Sequence, residues 1–217
     1  MHVSCLGCVQ YVSGNILWEC FVEAGGVISS PQAALSKLLT MIRFCSKEVG
    51  AIWTLNELTM GMIRASLDKG PKLKLKAAEG RYFIPVLREL LRSCFGLHTE
   101  HQRLRFNCLE QLHLVYKEME NWHDDGSSTQ RFRKHAMRHL LLYGELNKNS
   151  VAKGDYLCWK LVPKHHLFSH QYGYQNPKSE WCYAMESDIG EAAKICKAAV
   201  NVQHLHTAFI SRYVDTQ

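Results

Sequence analysis

Two histidines four residues apart, His166 and His170, follow Pro163 and give the chain its clearest opening for chemistry. Proline fits the first turn of a helix, so Lys164 to His170 reads as one or two helical turns with both imidazoles on one face and His165 pointing elsewhere. After the turn signal Asn176-Pro177, a second helix from about Trp181 carries Cys182, Glu186 and Glu191. Imidazoles at this spacing can share a zinc ion, with the Cys182 thiolate or the Glu186 carboxylate helping to complete a tetrahedron. Such a site would make a metal-dependent enzyme. The plainer alternative is that these histidines cap, hydrogen-bond and pack, as most do.

Other candidates are weaker. His135 and His139 share a helical face, but Lys134 and Arg138 beside them disfavour a dication. Cys5 and Cys8 form a Cys-x-x-Cys with no second such pair and no histidine pair at finger spacing, so a structural zinc is not expected there. No Walker-type or dinucleotide-type glycine loop occurs, nor a Gly-x-Ser-x-Gly nucleophile signature, which argues against the common motif-bearing hydrolases and nucleotide enzymes. No small-molecule cofactor is evident.

The elements that would hold these residues come from a chain of 217 residues, 47% hydrophobic and 21% charged, enough for one sizeable core. The formal charge of +6 is moderate, with clusters at Arg131-Phe132-Arg133-Lys134 and Lys72-Leu73-Lys74-Leu75-Lys76. It permits contact with nucleic acid or another acidic partner without requiring it. Nine cysteines, an odd number scattered through helical patterns, suggest reduced thiols in an intracellular compartment. No apolar run reaches membrane-spanning length, and the first residues lack a signal-peptide pattern.

Helical periodicity dominates. Met1 to Tyr11 reads as an edge strand or extended lead-in. Apolar stripes then predict helices over 14–24, 31–49 with Ser30 as N-cap, 55–67, 81–95 with Pro85 in its first turn or at a kink, and a long one after Thr99. The run up to Lys76 is a connector. Ser127 with Gln130 resembles a capping box and opens a helix to about Asn147, whose polar face carries Arg131, Arg133, Lys134 and Arg138. Further helices follow over 189–202 and 204–213. The expected fold is mainly α, with a helical body over 1–150 and a C-terminal helical segment over 151–217.

A set of residues adds a family resemblance: His2, Leu6 and Gly7; Gly14, Asn15, Leu17 and Trp18; Lys74, Lys76, Ala77 and Glu79; Pro163, His166 and His170; Trp181, Tyr183 and Glu186. In this order they resemble the C-terminal portion of CACTA-type transposases. The resemblance implies a remnant of an RNase H-like α/β core interrupted by a helical insertion. Two aspartates and a glutamate would there bind two divalent ions for attack on DNA phosphodiesters. Glu186 would be the glutamate, Cys5 would replace the second aspartate, and the first would lie upstream of Met1. Cysteine is a poor ligand for Mg²⁺, so the resemblance implies a truncated, degenerate and non-catalytic chain, nuclear if transposase-like. Three functions stay open: a non-catalytic helical module contacting nucleic acid through Arg131, Arg133, Lys134 and Arg138; an interaction subunit of a larger protein assembly; and a zinc or magnesium enzyme using His166 and His170.

Overall fold

A computed structural model of the chain describes residues 4–26, 30–51, 56–66, 68–123 and 126–169. They are mainly helical, with no strand among the described residues. The order is a π-helical turn Ser4–Val9, α1 Gln10–Glu23, α2 Pro31–Glu48, α3 Met60–Ile63, α4 Ala77–Leu90, a second π-helical turn Leu91–Phe95, α5 Glu100–Glu120, α6 Ser127–Ala152 and α7 Pro163–Ser169. None of these helices is long and apolar enough to cross a membrane. The helices expected over 189–202 and 204–213 lie outside the described residues.

Over its described residues, 4–11, the first segment is helical and not an edge strand. Cys8, Val9 and Val12 are all buried, and the π-helical turn packs on α4 and α7, so the segment's apolar side chains serve a helical contact and no ladder partner exists among the described residues. The helix expected over 55–67 shortens to the single turn of α3. Its carbonyls are diverted: Ile63 O accepts from Lys72 N at 2.8 Å and Met62 O from Lys74 N at 3.1 Å. Arg64 takes an extended backbone and lays its guanidinium over the Trp18 ring at 4.7 Å. Tertiary bonds have won over local propensity.

Two starts follow the sequence and one departs from it. The Ser30 hydroxyl accepts from Ala33 N, with Pro31 opening α2. Thr99 and Gln102 form a reciprocal capping box on α5, with bonds of 3.2 and 3.0 Å. At α6 no such box forms between Ser127 and Gln130. Gly126, at φ 79°, turns the chain instead, while Ser127 and Ser128 accept from Arg131 and Ser128 also accepts from His123 N.

α5 and α6 form an antiparallel hairpin. Glu118 meets Arg131, Gln111 meets His135 and Cys108 meets His139, pairings whose numbers run in opposite directions. Position 150 falls inside α6, and the stretch beyond it, as far as Phe168, enters the core through the buried Cys158, Trp159, His165 and Phe168. The expected α5 stripe is shifted at its start, since Arg105 rather than Leu104 is buried.

Gly14 shows how closely the parts approach. A Cβ there would lie 2.5 Å from Lys72 N and 2.6 Å from Leu73 N, so α1 and the 71–76 connector meet backbone to backbone. Gly144, in the interior of α6, faces open space. Gly14→Ala should therefore destabilise by about 1–3 kcal/mol, whereas Gly144→Ala should be neutral or stabilise by up to roughly 1 kcal/mol. Denaturant unfolding of the two variants checks the contrast; equal effects would show that the close approach at Gly14 does not matter.

Candidate functional site

The basic face expected on α6 is largely present. From Ser127 to Gly144 the helix contains no acidic residue, and Arg131, Arg133, Lys134 and Arg138 are all exposed. They are not equivalent. Arg131 is committed to the fold: its Nε donates to Glu118 Oε2 at 2.8 Å and its terminal nitrogens donate to Ser127 and Ser128. Arg133, Lys134 and Arg138 follow about half a turn, nearly one turn and two turns along, with Lys134 and Arg138 four apart on one face. His135, between them, bonds Gln111 Oε1 at 2.9 Å. Burial, and then the positive charge of Lys134 and Arg138 working against Glu118, push its proton affinity down.

The histidine stretch is rearranged relative to its sequence reading. α7 does begin at Pro163, but His165 is the buried imidazole and His166 is exposed. His170, Cys182 and Glu186 lie outside the described residues, as does the Cys5 side chain. Among the described residues no three His, Cys, Asp or Glu side chains converge as a metal site.

His165 instead meets a second buried histidine across an aromatic core. Its ring packs on Tyr143 with centroids 4.2 Å apart, and His139 packs on Tyr143 at 6.2 Å and on Phe168 at 6.0 Å. The backbone fixes opposite tautomers. His139 Nδ1 lies 2.9 Å from the Cys108 carbonyl and must carry the proton, whereas His165 Nδ1 accepts from Val162 N at 3.2 Å, placing its proton on Nε2. Both Nε2 atoms are buried without a hydrogen-bond partner among the described atoms. Neutral imidazoles tolerate this and imidazolium ions would not.

A basic concavity lies elsewhere, along the run up to Lys76 that the sequence marks as a connector. Residues 71–76 form a non-helical segment, bonded through Lys72 N and Lys74 N to α3 and through Leu73 N to Gln10 O at 2.9 Å, with a tight turn at Lys74 where Leu75 N donates to Leu73 O at 3.1 Å. Burial alternates along the run: Leu73 and Leu75 are buried while Lys74 and Lys76 are exposed and Lys72 is half-buried. The strict Lys-Leu alternation was the available signal. Lys160 faces this run from the segment after Trp159, and the two sides meet where a Cβ on Gly70 would lie 2.5 Å from Leu157 O.

No protein-family model, curated protein or solved structure matches the chain.

Burial pushes the proton affinity of His139 down to about 4, the Cys108 carbonyl opposing it. Burial and the neighbouring His139 push His165 down to about 4 as well. Both folded values lie below the unfolded one near 6.5, so the unfolded state binds more protons and stability falls as pH drops from about 6.5 towards 4. Each histidine should contribute roughly 2–3 kcal/mol of that loss. Denaturant unfolding at stepped pH checks it, and His139→Gln should flatten the profile; an unchanged acid limb in that variant would refute the assignment.

Proposed function

We propose that this chain is a non-catalytic helical binding module that contacts nucleic acid along α6, with derivation from a CACTA-type transposase as its origin. The observation that supports it best is the run of exposed Arg133, Lys134 and Arg138 on a helical stretch without a carboxylate of its own. Phosphate backbones reward such a face by releasing condensed counterions, with little demand on base sequence. The resemblance points the same way, since Cys5 in place of an aspartate leaves no two-metal chemistry and binding is what remains.

A second reading, an interaction subunit of a larger protein assembly, is favoured by Met137 and Leu141. They stand four apart on α6, 42% and 66% exposed, in line with Arg133. A partner with acidic and apolar side chains would suit that stripe. A zinc or magnesium site at His166, His170 and Cys182 or Glu186 is a third reading, and it depends mainly on residues outside the described ones.

Fluorescence anisotropy with a labelled DNA duplex over a salt series tests the first reading. Affinity should fall steeply with salt, and replacing Arg133, Lys134 and Arg138 together by alanine should lower the slope of log affinity against log salt by roughly two to three. Unchanged affinity and slope in that variant would remove α6 as the contact and leave the protein-assembly reading.

A further inference from the structure

The groove beside the 71–76 run has a volume of about 830 Å³, within the range of sites that hold small ligands (roughly 300–1,000 Å³). Five lysines line it: Lys69, Lys72, Lys74, Lys76 and Lys160. Two carboxylates also line it, Asp68 and Glu79. Glu79 is engaged at the start of α4, its Oε2 accepting from Lys76 N at 3.0 Å. None of the five ammonium groups is in an ion pair within 4 Å among the described residues. Among the described residues, the five lysines against Asp68 and Glu79 therefore leave the groove with a surplus of positive charge.

Lys72 concentrates that surplus. Its Nζ sits 5.3 Å from the centre of the Tyr11 ring, half-buried. Burial, and then the like charge of Lys164, lower its proton affinity. The charge of a bound anion would offset both effects by favouring the ammonium form. The connector that carries Lys72 and Lys74 is pinned by backbone hydrogen bonds, so the main chain from which these side chains extend is set before any ligand arrives.

Part of the remaining wall is apolar. Leu157 and Val162 are half-buried and line the side that carries Lys160. Inorganic phosphate would make no use of that surface, whereas a ligand with a charged end and a flat, weakly polar body would use both.

We propose that the groove between residues 71–76 and 157–162 binds a phosphorylated nucleoside, its phosphates against Lys72, Lys74 and Lys160 and its base against Leu157 and Val162. The same chemistry is offered by a free nucleotide and by one unit of a single-stranded nucleic acid. The site uses no residue of α6, so it stands or falls separately from the α6 contact.

Calorimetric titration of the full chain at low salt with adenosine triphosphate, tripolyphosphate and a short single-stranded oligonucleotide tests the proposal. Lys74 and Lys160 are exposed, so the double variant Lys74→Glu/Lys160→Glu should fold normally and bind the nucleotide probes about tenfold or more weakly. Lys37→Glu/Lys153→Glu, with the same charge change at exposed positions outside the groove, should bind nearly as the parent does. Leu157→Ala should weaken adenosine triphosphate without affecting tripolyphosphate. Binding of adenosine triphosphate comparable with the oligonucleotide would assign a free nucleotide, and binding of the oligonucleotide alone would assign a strand. Failure of both nucleotide probes to bind, equal losses in the two charge-reversed variants, or tripolyphosphate binding as tightly as adenosine triphosphate would overturn the proposal.

Discussion

The carboxylate of Glu19, on α1, joins three parts of the chain that sequence keeps far apart. Its Oε1 accepts from the Trp159 indole nitrogen at 2.6 Å and lies 3.0 Å from His101 Nε2, and its Oε2 accepts from Arg105 Nη1 at 3.0 Å. Arg105 is fully buried and also donates to Glu23 Oε1 at 2.7 Å. Burial alone would raise the proton affinity of Glu19; the His101 hydrogen bond and the charge of Arg105 outweigh it, so the carboxylate stays ionised. A buried guanidinium needs such partners, because removing one leaves an uncompensated charge at a cost of about 3–5 kcal/mol. Nε and Nη2 of Arg105 remain unpartnered, so the cluster offers more donors than its described acceptors answer.

This junction decides where the segment after α6 runs. Trp159 adopts φ 53°, a left-handed conformation that costs a bulky residue about 1–3 kcal/mol. It is held there by its own N–H, bonded to Asn15 Oδ1 at 2.7 Å, by its indole on Glu19, and by the edge contact with Tyr143 at 5.3 Å. Lys160 and Val162 follow at once and form one side of the lysine groove, while His165 a turn later closes over Tyr143. The groove wall and the buried histidine pair thus both depend on α1 presenting Asn15 and Glu19 one turn apart.

Helical class was readable because apolar spacing over long windows is robust to local error. The α2 stripe through Ala34, Leu35, Leu38, Ile42 and Cys45 is buried as the pattern implies. The exposed α6 lysine and arginines were also legible, since they fall outside the buried positions Phe132, Ala136 and Tyr143 of that helix. What was hidden depends on long-range polar bonds. Glu19 and Arg105 look like surface charges in sequence, and nothing local reveals that they meet. His165 and His166 are adjacent and chemically identical; only the position of Tyr143 decides which is buried. The 71–76 run reads as a connector in sequence, and its placement comes from backbone partners on α1 and α3 that no short window on the sequence contains.

Hydrogen exchange of Glu19→Gln against the parent chain, read amide by amide, tests the organising role of Glu19 most directly. Loss of protection at Trp159 N–H and through residues 160–168, with the α5–α6 hairpin amides far less affected, is the expected result. Unchanged protection of that segment would contradict it, and would mean that packing alone sets the path of the chain after α6.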